Sequence, residues 1–98
     1  MDDLIHECLV YMRISTNNDD VKNEVRSLIL ACLKDLNIKG ISSELTTEDI
    51  DDPLIARCVK LYVKGNFNTL DKDSERLIKS YEMLRDSLSL TEEYNEIN

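Results

Sequence analysis

The sequence predicts a mainly α protein: a compact bundle of four helices with one long connection between the second and third, and a mobile acidic tail over 91–98. Three observations point there. Apolar residues recur at helical spacing in four segments, and strand-like alternation is nowhere sustained. Most of those segments are preceded by Asp or Asn, the residues that cap helix starts. Aromatic residues make up 5% of the chain with no Trp, against 42% hydrophobic and 33% charged residues, so aliphatic side chains must supply most of a packed core. At 98 residues the chain reads as a single domain with a modest core, without internal repeats, low-complexity tracts or linkers.

The first helix is expected over 3–13, where Leu4, Ile5, Cys8, Leu9 and Met12 share a face and Asp2 and Asp3 sit at the end favoured by the helix dipole. Ser15 to Asn18 follow as a polar turn. The second, over 19–36, keeps Val21, Val25, Leu28, Ile29, Cys32, Leu33 and Leu36 on one stripe behind an Asn18, Asp19, Asp20 cap. Residues 37–51 form a connection longer than usual, with Gly40 and two serines as breakers and Ile38, Ile41, Leu45 and Ile50 available to pin it to the core. Asp52 as cap and Pro53 at the first helical position start the third helix, 53–65, which Gly65-Asn66 is expected to close. Its stripe of Ile55, Cys58, Val59 and Tyr62 is widened by Leu54, Leu61 and Val63, so it is central or touches a neighbour on a second side. The fourth, 72–89, carries Leu77, Tyr81, Leu84 and Leu88. The shared core expected from these stripes is Val25, Leu28, Ile29, Leu33, Ile55, Val59, Tyr62, Leu77, Tyr81 and Leu84.

Twenty acidic against 12 basic residues leave a formal charge of -8. Such a surface is repelled by phosphates and anionic lipid, which argues against sequence-specific nucleic-acid binding and against a membrane partner. There is no apolar run long enough to span a bilayer, and the acidic start MDDLIHECLV lacks the basic region of a secretory signal, so a cytoplasmic site of synthesis is expected. Cys8, Cys32 and Cys58 are widely spaced on apolar stripes and read as small buried hydrophobes.

The chain announces no enzyme. His6 and Cys8 are two apart, about 200° around a helix, and cannot share a metal ion. Thiols on apolar stripes are poor nucleophiles. Asp71, Asp73, Glu75, Ile78 and Glu82 match parts of a calcium loop, but Arg76 stands where that loop requires glycine. Asp86-Ser87-Leu88 has the triplet of an acyl carrier protein, whose serine is modified, but here it closes a helix instead of opening one. No glycine-rich phosphate loop exists, so no cofactor is expected and none of the residues is assigned to catalysis or metal. Arg57, Lys60 and Lys64 form a basic stripe on the third helix, readable as a solvated face balanced by nearby acids or as a docking surface for an acidic protein. Glu92, Glu93 and Glu96, with Tyr94 as a possible anchor, make the tail a second candidate interaction element.

Asp52-Pro53-Leu54-Ile55, then Lys60-Leu61-Tyr62-Val63-Lys64, Lys72-Asp73-Ser74-Glu75 and Tyr81-Glu82 resemble, in order and spacing, the head-tail connector family of tailed bacteriophages. The Arg13-Ile14 turn, the Asn/Asp-rich loop and the helix from Val21 to Leu36 resemble that family's opening pattern. The resemblance implies a virion protein without an active site, made in the bacterial host or from a prophage. Copies form a ring at the head-tail interface, beneath the portal protein, receive a stopper or tail-completion protein, and let DNA pass through the channel. The isolated chain need not be oligomeric. The competing class is a free-standing acidic module that sequesters a basic partner, and the remote one a carrier protein modified on Ser87.

Overall fold

The computed structural model describes residues 1–68 and 70–95. Among them the four stripes become α1 (Asp2–Tyr11), α2 (Asp19–Ile38), α3 (Pro53–Phe67) and α4 (Ser74–Ser89), followed by a 3-10 turn over Glu92–Tyr94. The described residues contain no strand, and their one bridge pairs Ile41 with Asn95. The fold is mainly α, as the periodicity requires.

Local chemistry sets the helix ends. The Asn18 carboxamide oxygen accepts from the amides of Asp20 at 2.8 Å and Val21 at 3.3 Å, and an Asp52 carboxylate oxygen accepts from those of Leu54 at 2.8 Å and Ile55 at 3.2 Å. Each satisfies two donors that the first helical turn leaves unpaired. Two helices end on the same device. After α2, Gly40 takes φ +98°, its amide donates to Asn37 and that of Ile41 to Leu36. After α1 the residue in that left-handed position is Arg13, at φ 60°, with Arg13 donating to Val10 and Ile14 to Leu9. These are Schellman closures, in which the residue past the turn is delivered back onto the helix. Ile41 is thereby fully buried beside Leu36.

α3 is the axis of the bundle and packs against α4, α2 and α1. Its buried positions are Ile55, Cys58, Val59, Leu61, Val63 and Gly65. At 100° per residue they sweep about 200° of the helix circumference, more than one neighbour can cover. Of the expected core, Val25, Ile29, Leu33, Ile55, Val59, Leu77 and Tyr81 are buried, while Leu28, Tyr62 and Leu84 pack against it from its margin. The three cysteines, Leu36, Ile41, Leu61, Val63 and Leu88 complete the interior with Leu4, Ile5 and Leu9 of α1.

Two local expectations change. Ile38 does not pin the connection. It is the last residue of α2 and 68% exposed, because helical geometry turns it away from buried Leu36, whereas Ile41, Leu45 and Ile50 do pack on the core. Gly65 does not close α3, which runs on to Phe67. Its lack of a side chain serves packing instead: a Cβ there would lie 2.8 Å from Ile78 Cγ1 and 3.3 Å from the Ile78 amide nitrogen. The Ser74 hydroxyl, at the start of α4, donates to the Gly65 carbonyl at 2.6 Å. α3 and α4 therefore meet backbone to backbone at this point.

Gly65→Ala adds a methyl group to that contact. Overpacking of this kind costs roughly 1–3 kcal/mol, against a gain in helix propensity of about 1 kcal/mol. The expected result in chemical denaturation is a net loss of up to about 2 kcal/mol; a variant more stable than the parent chain would show that the two helices are not in contact there.

Candidate protein-interaction surface

The basic stripe on α3 is turned toward α1. Lys60 Nζ lies 3.8 Å from a carboxylate oxygen of Glu7, while Arg57 and Lys64 stand over the ring of Tyr11 at 5.8 and 5.3 Å from its centroid. Glu7 and Tyr11 are one helical turn apart, matching the i, i+3, i+7 spacing of the cations. Each contact is individually modest: a cation over an aromatic face contributes about 0.5–1 kcal/mol at an exposed site, and a solvated ion pair about 0–1 kcal/mol. Together they orient α1 across α3. Arg57 remains exposed at the edge of this seam.

The C-terminal segment is the second surface. Thr91 to Asn95, expected to be part of a mobile tail, are tied to the body as a strap: the Ser42 amide donates to the Tyr94 carbonyl at 2.8 Å, and Ile41 pairs with Asn95. The Tyr94 hydroxyl donates to the second carboxylate oxygen of Asp52 at 2.9 Å. Tyr94 thus ties the strap to this chain's own α3 cap. Burial, and secondly the bond to Asp52, raise the tyrosine's pKa above its ordinary value. Glu92 and Glu93 are exposed on the strap. Glu96 lies outside the described residues, as do residues 97 and 98.

A third constellation is absent from the sequence reading. Asp35 on α2 receives the Tyr81 hydroxyl at 2.6 Å and the Arg85 guanidinium at 3.0 Å, both from α4. Arg85 also pairs with Asp86 at 2.9 Å and stands 5.6 Å over the Tyr81 ring, which meets Tyr62 edge-on at 5.0 Å. Burial works against the charge on Arg85, and its bonds to Asp86 and Asp35 more than restore it. The Tyr81-x-x-x-Arg85 spacing, one helical turn, was the available signal for a shared acceptor. These residues bind helices to each other and present no nucleophile.

The remaining candidates separate. His6 is exposed while Cys8 is fully buried, as their 200° separation demands. Asp73 pairs with Arg76 at 3.3 Å, and an Asp71 carboxylate oxygen accepts from the Asp73 amide at 2.8 Å, so the acids of the calcium-like run serve the start of α4. Among the described residues no three His, Cys, Asp or Glu side chains are grouped to hold a metal ion. Ser87 is exposed in the last turn of α4, and its carbonyl accepts from the Thr91 hydroxyl at 2.9 Å. An open groove of about 660 Å³ between α1 and the start of α2 is lined by Leu9, Val10 and Ile14 together with His6, Lys22 and Arg26. No described helix is long and apolar enough to cross a membrane.

Burial pushes the thiols of Cys8 and Cys58 up to about 12, and that of Cys32 higher still. In the unfolded chain a thiol ionises near 9.0. The folded state therefore holds these protons over a pH range in which the unfolded state releases them, so stability is full below pH 9 and falls as pH rises above it. Denaturation midpoints measured from neutral to alkaline pH should decline from about pH 9 upward, and native protein at neutral pH should leave all three thiols unmodified by a disulfide reagent. Rapid modification of a folded chain would place a thiol at the surface. Comparison of the chain with protein-family models, curated proteins and solved structures finds no match.

Proposed function

We propose that this chain is a structural subunit of a tailed-bacteriophage head-tail connector, a protein that joins copies of itself to the portal on one side and to a stopper or tail-completion protein on the other. The observation that carries the reading is the ordered resemblance running from Asp52-Pro53 through Lys60-Leu61-Tyr62-Val63-Lys64 to Tyr81-Glu82. Those pieces fall on α3, the start of α4 and the middle of α4. Three further features are compatible with it. The candidate residues bind structure to structure. The acidic excess of eight charges suits the wall of a channel along which phosphates must slide without sticking. The strap and the α1–α3 seam supply edges on which one copy can meet another.

The roles of Arg57, Lys60 and Lys64 narrow accordingly. Because α1 already occupies much of this stripe, its part in docking is to hold α1 as the presented surface, with Arg57 as the exposed cation. Virion localisation follows from the proposal. The test is to delete the gene from its phage or prophage and to examine the particles by electron microscopy. The expected outcome is DNA-filled or leaking heads without attached tails, with the protein recovered at the portal vertex of complemented particles. Normal infectious particles from the deletion would refute the connector reading and leave the acidic interaction module as its replacement.

A further inference from the structure

The seam between α1 and α3 reverses the charge of the chain locally. The protein as a whole carries -8, whereas the seam gathers Arg57, Lys60 and Lys64 with one carboxylate in ion-pair reach of them among the described residues, that of Glu7 on Lys60. Arg57 and Lys64 have no acidic partner among the described residues; what they meet is the ring of Tyr11. A ring face attracts a cation through its quadrupole and accepts few of its N–H hydrogens, so most donors of the guanidinium and the ammonium lack a protein acceptor. Arg57 is also exposed.

The same contacts order the two side chains before any partner arrives. Holding long, flexible cations in one geometry is a main reason that solvated ion pairs contribute little, and Tyr11 removes part of that cost. The pair also sets a spacing. Arg57 and Lys64 are seven residues apart on α3, about 10 Å along its axis. Carboxylates seven residues apart on a helix share a face and match this distance. On an extended strand, side chains of one face recur at about 7 and 13 Å and miss it. A nucleic acid strand brings a charge about every 3.4 Å against the rest of an acidic surface.

We propose that the α1–α3 seam is a docking site for an acidic helix of a partner protein, which places one carboxylate on Arg57 and a second, seven residues along, on Lys64. Glu7 weakens the site, because it occupies Lys60 and repels the incoming acids. The assignment of that partner as portal or stopper rests on the connector reading; docking of an acidic helix does not.

Titrations of the full-length chain followed by two-dimensional amide NMR at low salt test this with three probes: a helical peptide whose only charges are two glutamates seven residues apart, the same peptide with the glutamates five apart and so on different faces, and a single-stranded oligothymidine. The expected result is that the first probe shifts the amides around Tyr11, Arg57 and Lys64, with an apparent Kd that rises with salt. That Kd rises about fivefold or more in the combined variant Arg57→Gln, Lys64→Gln, and falls in Glu7→Gln, with helix content unchanged by circular dichroism in both. A seam silent toward the first probe in the parent chain and in Glu7→Gln overturns the proposal, as does a Kd unchanged in the combined variant or an equal response to the second probe. A stronger response to oligothymidine overturns it in favour of a phosphate site. The same shifts on concentrating the chain alone overturn it in favour of a second copy. The two readings fail separately. A silent seam in a chain whose deletion leaves heads without tails refutes the acidic-helix site and spares the connector, whereas the expected binding by a chain dispensable for particles refutes the connector and spares the site.

Discussion

The structure depends on one constraint: α3 carries buried residues over more of its circumference than a single neighbouring helix can cover. Leu61, Gly65 and Cys58 lie toward one side of the arc, Val59 and Val63 toward the other, with Ile55 between them. Leaving any of these in water forfeits about 25 cal/mol for each Å² of apolar surface. The chain therefore needs partners on several flanks, and α4, α2 and α1 provide them. The remaining segments are arranged by the same need. The 37–51 connection is long because it leads from the end of α2 to the start of α3 while placing Ile41, Leu45 and Ile50 against the core.

Apolar burial alone does not fix how the helices sit along one another, and the polar contacts supply that register. At Gly65 the missing side chain lets α4 approach, and the Ser74 hydroxyl on the Gly65 carbonyl fixes where along α3 it does so. Asp35 performs the same service between α2 and α4, since one carboxylate oxygen must meet both Tyr81 and Arg85. Hydrogen bonds to charged groups contribute about 1.5–3 kcal/mol each, and removing one partner leaves the other to bear its desolvation. α1 is held differently, by its apolar face and by the Glu7 and Tyr11 contacts to three cations, all of them accessible to salt and solvent. Its attachment and that of the strap are the parts most open to change when another molecule arrives.

What the sequence disclosed follows from the range over which each signal acts. Helix existence, the Asn18 and Asp52 caps and most of the core were legible because they depend on residues within one or two turns. The position of Gly65 was legible as unusual, but its reason lies in Ile78, thirteen residues away, and so its role was misassigned as a helix stop. The same holds for the candidate surface. Arg57, Lys60 and Lys64 were recognisable as a stripe, and Tyr94 as an anchor, while their partners Tyr11, Glu7 and Asp52 are set by tertiary packing that no local spacing encodes. Asp35 stayed invisible for a further reason: among 20 acidic residues, one that faces the interior bears no mark of its own.

The central claim, that α3 is the buried axis on which every other element is laid, is tested most directly by native-state hydrogen exchange. Elements held by buried contacts exchange only through global unfolding, and those held at the surface open locally at lower free energy. The account predicts that the amides of Ile55 to Val63 are the slowest in the protein, that those facing them in α2 and α4 follow closely, and that α1 and the Ser42 amide under the strap exchange first. Slower exchange in α1 than in α3, or uniform protection across all four helices, would contradict it.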